Sequence, residues 1–134
     1  MGIYTDVQTC FDTALAAVTD IPDVAWENTA FVPTAGTSFV MPTMLPAGGD
    51  RATLEERLMN LRGLYQVDVF VEKEKGPAEA NTILDNIFDS FNGVEYLQTG
   101  STQVWIGGID RSPAIKEEGW YRATVAIDYQ VYTT

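Results

Sequence analysis

The stretch Arg62–Phe91, RGLYQVDVFVEKEKGPAEANTILDNIFDSF, decides how this chain is read. Its first part alternates. Tyr65, Val67, Val69 and Val71 fall on one face, and Gln66, Asp68, Phe70 and Glu72 on the other. That is the period-two pattern of a strand with one buried and one mixed face. Its last part recurs at helical spacing, with Ala80, Ile83, Leu84, Ile87, Phe88 and Phe91 in one apolar stripe,. Asn92-Gly93 supplies the stop. The join, EKEKGP, either holds chemistry or turns a corner. Gly76 permits the turn, Pro77 fits the first helical position, and Glu79 suits the positive end of a helix dipole. One glycine is not a phosphate cradle, and Glu72 and Glu74 oppose an anion. Nor is this a calcium loop, because Lys73 and Lys75 alternate with the two glutamates. The join is a strand-to-helix corner with a solvated charge run.

The rest of the chain fits around this unit. TDVQTCFDTALAAVTD carries Val7, Cys10, Phe11, Ala14, Leu15 and Val18 on one helical face, with a capping-box pattern at Thr5 and Gln8,. IPDVAWENTAFVPTAG predicts a brief strand near Val24–Glu27 and then a loop. TSFVMPTMLPA predicts a second strand interrupted by Pro42, at an edge or a bulge. VEYLQTGSTQVWIGGI predicts a hairpin around Thr99-Gly100, broken by Gly107-Gly108, and DRSPAIKEE a polar loop. GWYRATVAIDYQVY is the longest alternation. The expected fold is α+β, a predominantly antiparallel sheet with two amphipathic helices packed on one face, plus an extended arm or short helix between the early strands. Ile83, Leu84, Ile87 and Phe88 are expected to meet Val67, Val69, Val125 and Ile127. The 134 residues fit one domain, 1–134,.

Bulk properties exclude several functions. The net charge of −11 repels nucleic-acid phosphates and anionic membranes,. Histidine is absent, so no histidine-activated nucleophile or histidine metal ligand exists,. Cys10 is the lone cysteine and sits inside an apolar stripe, where a small buried hydrophobe is the plainer reading than a reactive thiol,. No basic region followed by an apolar run marks a signal peptide. Gly48-Gly49-Asp50-Arg51 lacks the Gly-Lys-Ser/Thr end of a phosphate loop. Asp68 and Asp128 fall on the mixed faces of long strands. They are either solvent-facing positions or, if adjacent, a carboxylate pair able to do acid–base work. No catalytic residue, cofactor or metal is expected.

AWENTAFVP, GLYQVDVFVEKEKGPAEANTILDNIFDSF and EEGWYRATVAIDYQVY, in this order, resemble the tail-terminator (tail-completion) proteins of long-tailed bacteriophages. The resemblance implies a structural virion protein. It would cap the head-proximal end of the tail tube as a homo-oligomeric ring, usually a hexamer. Its implied partners are other copies of itself, the tail-tube protein and a head–tail connector or stopper protein. DNA would pass through the bore without specific binding, and no membrane is involved. The implied location is the virion tail, and the host cytoplasm during assembly. Other tail components, such as tube or connector proteins, are the alternative, with a carboxylate-based enzyme behind them.

The segment Ala47–Leu61 fits the resemblance least well. The arm Ala47–Arg62 sets Leu54, Leu58, Met59 and Leu61 among Arg51, Arg57 and Arg62 in an otherwise acidic chain. Thr53 with Glu56 forms a capping-box pattern, and the leucines space like one face of a short helix. Such a helix either lies on its own domain or reaches a neighbouring subunit. In the second case its arginines would pair with Glu72, Glu74, Glu117 or Glu118, since a head-to-tail ring needs two different complementary surfaces.

Overall fold

The computed structural model describes residues 2–51, 59–74, 76–117 and 119–133. The elements are α1 (Ile3–Ala16), β1 (Asp23–Val24), β2 (Phe39–Arg51), β3 (Met59–Glu72), α2 (Ala78–Phe91), β4 (Tyr96–Thr99), β5 (Thr102–Glu117) and β6 (Trp120–Thr133). They form one six-stranded sheet in the order β1-β2-β3-β6-β5-β4. Every pairing is antiparallel except the short parallel pair of β1 with β2. This is the expected α+β fold.

Both helices cover the face that carries the odd positions of β3 and β6. Tyr65, Val67, Val69 and Val71 join Ala123, Val125, Ile127, Tyr129 and Val131 there. From α1 come Val7, Cys10, Phe11 and Leu15, and from α2 Ala80, Ile83, Leu84, Ile87 and Phe91. Phe88 departs from expectation. It is 42% exposed, because α2 packs on β3 and β6 and Phe88 points past them toward the sheet's flank. The capping box also fails, because α1 begins at Ile3 with Gly2 as its cap and Thr5 already lies inside the helix.

The prolines and paired glycines interrupt less than their types suggest. β2 runs through both Pro42 and Pro46. The carbonyl of Val40 accepts from Ala25 of the outer segment, and the Met44 amide donates outward to the Glu27 carboxylate at 2.9 Å. Alternation puts the nitrogens of Pro42 and Pro46 on that same outer side, where β3 needs no donor. β5 likewise passes through Gly107-Gly108 and through residues 110–117 of the expected loop. Two residues of β5 oppose one of β6 at each of two places, Gly107 and Gly108 against Asp128, and Pro113 and Ala114 against Ala123. A third bulge places Ala47 of β2 between Pro46 and Gly48. Bulges bend strands and increase twist. The sheet accordingly curls round α1, which meets Met44 of β2 on one side and Thr99 and Thr102 on the other.

The corner between β3 and α2 is structural. Ser38 Oγ donates to the Glu79 carboxylate, tying the first turn of α2 to the start of β2. Gly76 takes a positive φ of 80° there.

Candidate assembly surfaces

The segment between β2 and β3 takes the extended form at both ends. Ala47–Arg51 continues β2, and Met59–Arg62 continues β3. Leu61 therefore sits in a strand, half-buried against the subunit's own core, and not on a helix face. Arg62 is exposed on the opposite sheet face. Leu54, Arg57 and Leu58 lie outside the described residues, as does Glu118.

The acidic candidates stand at the other end. Glu72 pairs across with Trp120, and Trp120 with Glu117, so the two carboxylates flank one tryptophan on adjacent strands. Glu74 is exposed in the following turn. Glu117 already binds Arg122 at 2.9 Å. β3 is 14 residues long, so its two ends stand roughly 40 Å apart at the rise of a strand. Within one subunit ten residues of β3 separate Arg62 from Glu72, roughly 33 Å,.

The helix-free face is partly covered. Phe39 stacks on Phe70 at 4.6 Å, with Phe31 and Trp120 at its edges. Asp68 is buried beside this cluster, correcting the solvent-facing reading. Thr124 Oγ1 donates to it at 2.5 Å, and Gln66 Nε2 lies at 3.3 Å. Asp128 is exposed and pairs across with Leu64, four residues further along β3. That offset is roughly 13 Å, too far for two carboxylates to share a proton. Farther along the face, Arg62, Leu64, Trp105 and Asp128 line an open hollow of about 420 Å³.

Cys10, Asp6 and Tyr65, three titratable groups near the core, have structural partners. Cys10 Sγ lies 3.0 Å from Thr99 Oγ1, and Thr102 Oγ1 donates to Asp6 at 2.7 Å, so α1 is tied twice to the β4–β5 hairpin. Burial pushes the Cys10 thiol up, the opposite of what a nucleophile needs,. Tyr65 donates to Asp12 at 2.7 Å, and burial and that bond raise its phenol well above the usual range. The raised group stays neutral in the fold. Its contribution to stability is therefore complete below the ordinary phenol value of about 10 and lost as pH rises above it. Urea midpoints measured at pH 9 and 11 should fall across that interval, and Tyr65→Phe should make the fall shallower by one proton's worth. An identical decline in the variant would show that Tyr65 is not responsible.

Among the described residues, no group of three or more acidic or cysteine side chains is placed to hold a metal ion, and no helix is long and apolar enough to cross a membrane. The fold defines an α+β building block with two helices on one face of a single six-stranded sheet. Residues 6–129 match the family described as phage tail terminator protein, and the chain belongs to that family of structural virion tail proteins. Two solved structures share its fold. One aligns over 98% of this chain and 94% of its own, with a TM-score of 0.72 and 22% identity. The other, from the virion of a native gene transfer agent particle, covers 98% of both chains with a TM-score of 0.65 and 15% identity. No curated protein matches the sequence.

Two surface features escaped the sequence reading: the outer flank of β5 and the exposed Phe88. Gly107-Gly108 and Pro113 argue locally against a strand, and only the pairing with β6 keeps β5 extended. An asymmetry visible in the sequence bears on them, since no lysine or arginine precedes Arg51.

Proposed function

We propose that this protein closes the head-proximal end of the phage tail tube as a ring of identical subunits, six by analogy with similar proteins, and offers its far face to the head–tail connector. The match of residues 6–129 to the phage tail terminator family carries this reading. A head-to-tail ring needs two different surfaces that complement each other, and β3 sets Arg62 and Glu72 toward its opposite ends. In this reading Arg51, Arg57 and Arg62 reach the carboxylates of Glu72, Glu74, Glu117 or Glu118 on another copy, while Leu54, Leu58 and Met59 fill an apolar contact beside them. Arginine suits the role through its bidentate fork. The chain performs no turnover, and its net charge of −11 lets DNA pass without being gripped,.

The test is the triple variant Arg51→Glu, Arg57→Glu, Arg62→Glu. The expected product is a folded subunit with near-wild-type melting that neither forms rings nor completes tails. Assembly at the wild-type concentration and salt would remove this segment from the contact.

A further inference from the structure

The Val32 side chain is 86% exposed, more than any other large apolar side chain described. It follows Phe31, which turns inward and packs on Phe39 at 5.1 Å, so the segment is held down while Val32 is held out. A single exposed valine is ordinary; its setting gives it meaning. The segment leaves from β1, at one edge of the sheet. This side is wholly acidic, with Asp20, Asp23 and Glu27 exposed and no cation anywhere in residues 1–50.

The opposite flank carries the exposed cations Arg111 and Lys116, beside the exposed acids Asp85 and Asp110. Beyond Ile106 no strand lies against the outer edge of β5 among the described residues. There α2 stops short of covering β5, leaving a hollow of about 150 Å³ lined by Leu84, Asp85, Phe88, Ile109, Arg111 and Val125. Its size suits one small aliphatic side chain. Arg111 is exposed at its rim and has no ion-pair partner among the described residues, and Lys116 is exposed further along the same strand. The register Pro42–Val67–Val125–Arg111 runs straight across the sheet. The hollow and the β1 side thus lie near one height on opposite flanks, roughly 15–20 Å apart at the spacing of strands.

We infer that Val32 of one copy seats in the hollow beside Phe88 of the next copy, with Arg111 of that next copy facing the first copy's acidic β1 side. The inference rests on the ring reading above and gives it a side-to-side contact. The two surfaces differ and sit on opposite flanks, so the contact is heterologous and repeats around a ring. It joins an apolar anchor in a pocket to complementary charge at its rim.

The test uses Val32→Asn, with a spoiled plug and an intact socket, and Phe88→Asp, the reverse. Each is to be checked for wild-type melting, and Arg111→Glu replaces the second should Phe88→Asp be unstable. Sedimentation velocity should show each variant alone needing on the order of a hundredfold more protein to assemble, since an amide at the plug loses its water without a partner and a carboxylate in the socket stands beside Asp85,. Mixing the two restores one sound contact per pair and should give a 1:1 dimer that grows no further. If either variant assembles at the wild-type concentration, or if the mixture stays monomeric, the contact is wrong while the ring reading stands. A wild-type protein that forms no ring and caps no tail would overturn both.

Discussion

Replacing Phe11 with alanine is expected to lower the unfolding free energy by about 3–5 kcal/mol. Phe11 is fully buried where helix α1 meets the curled sheet. Its ring stacks on Tyr65 at 4.6 Å and meets Tyr129 at 5.6 Å and Phe91 at 6.1 Å. It therefore joins α1, β3, β6 and α2 at one point, and its removal leaves a cavity that rigid elements on several sides cannot close. Phe88→Ala is the contrasting case. From the apolar stripe alone the two phenylalanines look equivalent, but Phe88 stands on the flank, and its loss should cost about 1 kcal/mol or less. Urea denaturation of both variants checks the pair. Equal losses would mean that α2 is docked differently from the arrangement described.

The second large effect is expected at Gly63. A Cβ built there would lie 2.6 Å from the Tyr129 hydroxyl and 2.7 Å from the backbone oxygen of Leu45. Gly63 pairs with Tyr129 on one side and with Pro46, at the start of the β2 bulge, on the other. The missing side chain lets the tyrosine lie across β3 while β2 closes in. Gly63→Ala should cost about 1–3 kcal/mol by overpacking. Tyr129→Phe in the same chain should recover only part of this, because a hydroxyl is removed but the Leu45 carbonyl cannot step aside. Full recovery would place the whole clash on the tyrosine.

These cases show what sequence conveys here. The strand-corner-helix unit of Arg62–Phe91 was legible because period two and period 3.6 follow each other without ambiguity. The core faces of α1, β3 and β6 were legible for the same reason. How far each stripe is covered was not, because coverage depends on where α2 lies across the sheet, and Phe88 falls at that margin. Pro42, Pro46, Gly107, Gly108 and Pro113 read locally as breaks. They are tolerated because outward-facing nitrogens and bulges need no ladder donor, which only the pairing partner reveals. The charged groups of the proposed contacts were visible as residues. That Glu72 and Glu117 stand level on either side of Trp120, far along the sheet from Arg62, depended on a register the sequence does not print.

The family places the protein in the phage tail, and the ring account turns on one physical property, a subunit whose two contact surfaces differ. Electron microscopy of the purified wild-type protein, at concentrations where it self-associates, tests this most directly. The account predicts closed rings of a single subunit number that do not lengthen as concentration rises. Two-fold dimers, or rings that stack into open-ended tubes, would contradict it.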